Sequence, residues 1–479
     1  MARLAWLTPL PPSTSGIAQY SVELLPRLAL AHEIDVFVEG RPGRPGRPGP
    51  PDRAAGLAPG QTVWSAHDFV WKHLQQPYDL VVYQLGNATC HDYMWGYLAR
   101  YPGLVALHDG QLHHARARCL LRQRRDDDYR AEFRFNHPRA RAGVAELGVA
   151  GLLGSLTYLW PMVRTVVESA RLTVVHNRWL ADQLQDASPD AAIRVVEMGV
   201  PPAGRGDGAG SVRARHGIPP GATLFAAFGR VTPEKRLAPV IRALASVAAD
   251  VPDVHLLLAG EPAEYFDAIE LARASGIADK VTVAGFVPEE ELADYLAAAD
   301  VCLCLRWPSS RETSASWLRC LAAGRPTVIT DLAQTIDVPG LDPRSWKLRF
   351  VPRRASEGGA GAAPAGPACV GIDILDEDHS LRLALRRLAT DPRLRETLGS
   401  NARRLWAERF TLDRMASGYH DAIAAACAVP VPDLTSRRAR LPRHLLADGS
   451  EHAARLLRET GLPESRIGEV WLSATSGSG

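Results

Sequence analysis

Short apolar runs punctuate this chain, each followed by glycine or polar residues and then by a stretch in which apolar positions recur with the helical period. In the first half the runs fall at 3–7, 33–38, 80–84, 104–107 and 172–175, with a helix expected over 18–31. In the second half they fall at 223–228, 255–259, 280–284, 301–305 and 327–329, and a further strand at 369–374 precedes helices at 380–390 and 391–410. Continuous apolar runs separated by helices describe parallel strands buried on both faces. The expected fold class is therefore α/β, with two doubly wound, Rossmann-like domains facing each other across a central cleft. The first domain is expected over 1–200 and the second over 201–410, with 411–428 a helix packing back on the first and 429–479 a weakly ordered tail. Low-complexity stretches break the rhythm at 40–60, with its Arg-Pro-Gly repeat, and at 355–367. Proline and glycine at that density hold neither ladder nor helix bonds. The Gly-rich 201–210 reads as the linker.

Composition narrows the function more than the fold. A chain of 479 residues exceeds one ordinary core. A net charge of +2 argues against a general nucleic-acid binder. The seven cysteines are scattered, without the spacing of a zinc site or a disulfide framework, and Cys302 and Cys304 alternate along an apolar run as packing residues do. The first residues form a short strand rather than an apolar leader, so a cytoplasmic protein is expected. The most apolar stretch, 143–163, is interrupted by Glu146, Ser155, Thr157 and Pro161, and suits a buried or surface-lying helix better than a membrane span. The arginine-rich 116–141 before it suits a peripheral membrane contact or a lipid-linked acceptor; a solvated face followed by a core helix is the other reading.

Two segments of the second half carry anion chemistry. Gly229-Arg230, with Lys235 at the next helix start, combines close backbone approach, a planar fork of donors and a point charge. In the second, Glu312-Thr313-Ser314 opens a helix that carries the stripe Trp317, Leu318, Leu321 and stops at Gly324 and Pro326. Each segment follows an apolar run, where an open sheet binds ligands and a helix N-terminus favours negative charge. A diphosphate fits both.

These residues, together with Leu257-Leu258-Ala259-Gly260-Glu261 and Val283-Ala284-Gly285-Phe286-Val287-Pro288, resemble in order and spacing the donor half of the retaining family 4 glycosyltransferases. The resemblance covers roughly 201–410 and implies the GT-B fold, a nucleotide diphosphate sugar donor, a glycan or lipid-linked acceptor, and no cofactor or metal. It implies that Arg230 and Lys235 clamp the diphosphate, that the Thr313-Ser314 backbone receives phosphate, that Glu312 contacts the donor sugar, and that Gly285, Phe286 and Val287 lie near the base. Many members carry two glutamates eight residues apart here, the second reading the ribose. In this chain position 320 is Cys320 beside Arg319, as in a bacterial branch with a Glu-Thr-Ser start, and counting back from Gly324 lands the first acid on Arg311.

The first half fits more loosely. Gly16, in Gly16-Ile17-Ala18-Gln19, matches the glycine loop that approaches donor and acceptor, and the cleft histidine the resemblance implies falls at His108. Asn87, His91 and Asp109 follow apolar strands and are acceptor-cleft candidates; His113 and His114 carry a weaker signal. His176-Asn177 resembles a turn near the hinge. Two rival readings use the same residues: a sugar-nucleotide epimerase, which needs no acceptor, and a catalytically silent binding protein, suggested by the missing second acid.

Overall fold

The computed structural model describes residues 1–13, 15–40, 57, 61–349, 366–431, 440–447 and 458–461. The low-complexity segments at 40–60 and 355–367 lie almost entirely outside the described residues, as does most of 429–479. The apolar runs become two parallel sheets of seven strands. The first sheet contains β1 (Arg3–Leu7), β2 (Glu33–Val38), β3 (Thr62–Ser65), β4 (Leu80–Leu85), β5 (Leu104–Leu107), β6 (Leu172–Val175) and β7 (Ile193–Val195). Their spatial order is β3-β2-β1-β4-β5-β6-β7. The second contains β8 (Thr223–Phe228), β9 (Val254–Ala259), β10 (Val281–Gly285), β11 (Val301–Cys304), β12 (Thr327–Thr330), β13 (Gly340–Leu341) and β14 (Cys369–Ile372). Their order is β10-β9-β8-β11-β12-β14-β13. Strands β4, β5, β6, β8, β9 and β12 are buried along their whole length, which is why they read as unbroken apolar runs.

Strand order reverses direction once in each sheet, between β1 and β4 in the first and between β8 and β11 in the second. At such a switch point the helices leave to opposite faces, and the crevice between the strand ends is open for a ligand. The loops leaving β1 and β4 hold Gly16 and Asn87; those leaving β8 and β11 hold Arg230 and Glu312.

The chain crosses between the domains twice at one place. Val200 bridges Thr411 in parallel, and its N–H donates to the Phe410 carbonyl at 2.9 Å. Helix Leu412–Ala428 then packs against helix Gly16–Leu28, with the Tyr20 hydroxyl donating to the Tyr419 hydroxyl at 2.7 Å in a core that includes Trp6.

Two expectations need correction. The apolar 143–163 is not one helix: it divides into helix Ala142–Val149 and the short turn Gly154–Leu159, because Gly151 and Gly154 adopt φ of +72° and +49°. The region after 429 is not uniformly loose either. Leu441, Leu445 and Leu446 are buried in the first-domain core, and Arg440 pairs with Glu168 at 3.1 Å. His444 approaches Glu132 at 2.7 Å, and Glu132 in turn forms a fully buried pair with Arg116. An apolar face spaced by four and five residues holds this short segment down. No helix among the described residues is long and apolar enough to cross a membrane.

Candidate active site

The glycine after β8 sets the donor-side geometry. Gly229 adopts φ of +83°, and a Cβ placed there would stand 3.0 Å from the Lys235 Nζ. The lysine ammonium folds under this turn and donates to the Phe228 carbonyl. Burial first, then the charge of Arg306, lowers Lys235 to about 7. Arg230, next to Gly229, is exposed, and no described residue supplies it with a hydrogen bond or an ion pair. Gly260 backs the turn so closely that a Cβ there would lie 2.2 Å from the Gly229 carbonyl oxygen. An exposed guanidinium beside the glycine turn and a buried ammonium beneath it place two cationic groups at the end of β8.

Ser314 caps helix Ala315–Ala322, its hydroxyl accepting from the Trp317 N–H at 3.3 Å. The Thr313 hydroxyl donates to the His176 carbonyl across the domain gap at 3.3 Å. Both hydroxyls are therefore engaged, so what this turn can offer an anion is its backbone and the helix dipole. Glu312 pairs with Arg306 at 2.7 Å and accepts from the Ser309 hydroxyl at 3.1 Å. Asn177 donates to the Arg311 carbonyl at 3.2 Å while capping its own helix at Leu180. A cavity of about 90 Å³ opens beside this loop, walled by both domains through Asn177, Glu197, Arg306, Glu312, Thr313 and Trp317.

On the opposite wall Asp109 is the group that meets the donor side. Burial first, and then the charge of Glu312, push it up to about 7. Its carboxylate accepts from the Asn87 N–H at 2.7 Å. The Asn87 side-chain oxygen is engaged locally, accepting from the Ala115 N–H at 2.9 Å. His91 is buried against Gly86, whose missing side chain also admits Ile17 and Asp109, and burial lowers its ring to about 4. Gly16 opens helix Gly16–Leu28 behind the cap Ser15, and a Cβ there would meet nothing within 4 Å.

His108 lies elsewhere than the cleft reading expects. Its Nε2 bonds Gln84 at 2.8 Å, its Nδ1 meets His176 Nε2 at 3.2 Å, and Tyr20 packs edge-on at 4.7 Å. The ring is enclosed, with burial and the neighbouring His176 holding it neutral, and both nitrogens are engaged. The reason is alternation: His108 still pairs with β4 through its N–H, so it and Asp109 take opposite faces of the strand end. His113 is likewise consumed, by Tyr129 and the Trp160 carbonyl.

Sequence reasoning gave no role to two groups and no partner to a third. Arg306 follows β11 and salt-bridges Glu312, a placement its position after an apolar run could have signalled. Tyr158 had no signal: burial first, then Glu234 and Glu312, push its hydroxyl up to about 12, so it remains a donor beside both donor-side carboxylates. Arg319, beside the position where the second acid is absent, bonds Glu23 of the first domain and stands 2.6 Å from Glu289. Its neighbour Cys320 is buried 3.9 Å from Cys304. After β10, Gly285 turns at φ of +75° and Phe286 is 66% exposed, with Val287 half-buried beside it. Among the described residues no cluster of His, Cys, Asp and Glu could hold a metal.

Residues 222–342 match the family model described as Glycosyl transferases group 1. Sucrose-phosphate synthase from Thermosynechococcus elongatus shares the fold with a TM-score of 0.59 at 18% identity, over 89% of this chain and 100% of its own. Alr3699/HepE from Anabaena, solved with UDP and glucose, gives 0.57 at 14% identity over 89% and 100%. An α,α-trehalose-phosphate synthase (UDP-forming) from Burkholderia xenovorans gives 0.52 at 12% identity over 88% and 100%. The search of curated proteins finds no matching sequence. At these identities the structural likeness shows the GT-B fold, and the matched domain on that scaffold supports a glycosyltransferase of the GT-B type.

Proposed function

We propose that the protein transfers a sugar from a nucleotide diphosphate sugar to a glycan or lipid-linked acceptor, with retention at the anomeric carbon. The observation that carries this reading is the meeting of the free Arg230, Lys235 and the capped helix at Ser314 at one switch point, with Glu312 facing Asp109 across the gap. The diphosphate lies in the Gly229 turn, clamped by Arg230 and Lys235 and by the N-terminal dipole of helix Ala315–Ala322. Glu312, held by Arg306 and Ser309, accepts from hydroxyls of the donor sugar. Phe286 offers an exposed ring to the base. The acceptor oxygen bonds to the anomeric carbon on the face the leaving group vacates. The carbon–phosphate-oxygen bond breaks, its electron pair stays on the diphosphate, and a phosphate oxygen of that leaving group takes the acceptor proton. Arg230 and Lys235 offset the charge that grows there. Asp109, pushed up to about 7 by burial and by Glu312, orients an acceptor or sugar hydroxyl and holds a proton more readily than an ordinary carboxyl.

The solved complex of Alr3699/HepE with UDP and glucose makes UDP-sugars the first donors to try. Incubating donor with candidate acceptors and reading the anomeric proton coupling of the product by NMR tests the reading. Donor and product of the same anomeric configuration support it, inversion rejects retention, and donor conversion without any acceptor favours an epimerase.

A specific surface favours a lipid-linked acceptor. Leu147, Leu152, Leu156 and Leu159 are 42%, 69%, 53% and 67% exposed in the first domain, and Arg122, Arg139 and Arg141, earlier in the same stretch of chain, are exposed too. Apolar side chains accompanied by cations match an anionic bilayer surface. Flotation with anionic liposomes at low salt checks it: the protein rises with the vesicles, and failure to do so removes the membrane contact.

A further inference from the structure

A cavity of about 260 Å³ lies on the second domain, lined by Gly204 and Arg205 of the linker, Ala293 and Ala297, and Arg325 and Arg403. It is far from the cleft. Helix Leu292–Ala298 and helix Ala315–Ala322 end there, immediately before β11 and β12 begin, so the cavity sits at the opposite ends of the strands from the Gly229 turn.

Its chemistry is one-sided. Arg325 donates to the Ala299 carbonyl at 3.1 Å, Arg403 donates to the Ala322 carbonyl and lies 4.6 Å over the Trp406 ring, and Arg205 is exposed. Among the described residues none of the three forms an ion pair. Asp294, an acid on the same helix as Ala293, is engaged by the Gly208 N–H at 2.9 Å. The Arg325 Nε is buried with no hydrogen-bond partner, behind the guanidinium nitrogens of the same side chain. Capping of the helix ends explains one N–H of Arg325 and one of Arg403. It leaves the other terminal donors of both guanidinium groups and Arg205 without a use, and it does not explain why the space between them is open. That space far exceeds the ~10–15 Å³ a single water needs.

We propose that this cavity binds a small phosphate-bearing molecule, gripped by Arg205 from the linker and by Arg325 and Arg403 from the second domain. Planar guanidinium forks lining one cavity match phosphate oxygens, and hydrogen bonds between ionised partners are the strong ones. The ligand joins linker and donor domain, so it braces the chain at the crossing between the two domains.

Calorimetric titration of the full chain with inorganic phosphate, and separately with glycerol 3-phosphate, tests the site and distinguishes the free ion from a phosphomonoester. The same titrations are run on Arg230→Ala with Lys235→Ala, which empties the donor cradle, and on Arg205→Ala with Arg403→Ala. The wild type and the cradle variant bind at least one probe alike, while the Arg205 and Arg403 variant weakens by about tenfold or more. If Arg403→Ala unfolds the protein, Arg205→Ser on the exposed linker alone carries the test. Undetectable binding of both probes to the wild type overturns the proposal. So does binding lost with the cradle but kept without Arg205 and Arg403.

Discussion

Lys235 makes donor affinity depend on pH in a direction the geometry fixes. Its ammonium lies beneath the Gly229 turn with Arg306 nearby, and burial followed by that like charge lowers it from 10.5 to about 7. A bound diphosphate brings two negative charges to the same spot, which restores the charged form. The bound state therefore holds the proton more tightly than the free state. Affinity is complete below about pH 7 and falls as pH rises above it, up to the bound-state value. If binding returns Lys235 to near its ordinary value, affinity drops about fivefold between pH 7 and 8 and about fiftyfold by pH 9. The assay is calorimetry with a nucleotide sugar, whose phosphates are both esterified and do not themselves titrate in this range. Lys235→Arg keeps the charge at all these pH values and flattens the curve; Lys235→Met is flat and weak throughout. Asp109, also pushed up to about 7, loses its proton in the same window, so Asp109→Asn is the control and retains the Lys235 slope. A flat wild-type profile from about pH 6.5 to 9, or an equal slope in Lys235→Arg, refutes the reasoning.

Other substitutions separate the cradle from the scaffold. Arg230→Ala removes an exposed side chain with no partner among the described residues, so it lowers turnover by about 2–4 kcal/mol of transition-state stabilisation and leaves the thermal midpoint nearly unmoved. Steady-state kinetics and a melting curve on the same sample check both halves of that statement. Gly260→Ala pushes a methyl to 2.2 Å from the Gly229 carbonyl, so the turn shifts and KM for the donor rises by more than stability falls. Glu132→Ala strands the buried Arg116 and loses the His444 contact, at a cost of about 3–5 kcal/mol in urea unfolding with donor affinity of the surviving folded protein unchanged.

The sequence carried the interior of the fold better than its edges. Strands buried on both faces were visible as apolar runs, and β2, β5, β6 and β8 occur over the residues their patterns predict. Both edges of the first sheet lack such a run: Thr62–Ser65 is half-buried throughout, and Ile193–Val195 carries an arginine in its middle, whereas the edge strand β10 of the second sheet keeps its apolar run. At the site, motifs located turns well and side-chain directions badly. Gly229 and the helix start at Ser314 follow from backbone chemistry that the residue types require, but the face taken by His108 depends on one further residue of pairing with β4. The same limit hid Tyr158 and the partners of Arg319, which lie on other elements of the fold: Glu234 and Glu312 for the first, Glu23 and Glu289 for the second.

The central claim is that the Gly229-Arg230 turn and Lys235 hold the diphosphate of a nucleotide sugar. Calorimetric binding across a panel of nucleotide sugars, with wild type beside Arg230→Ala and Lys235→Ala, tests it most directly. One base and sugar bind the wild type, and each substitution weakens that binding by at least about tenfold. Binding of the same donor that is untouched by either substitution contradicts the account.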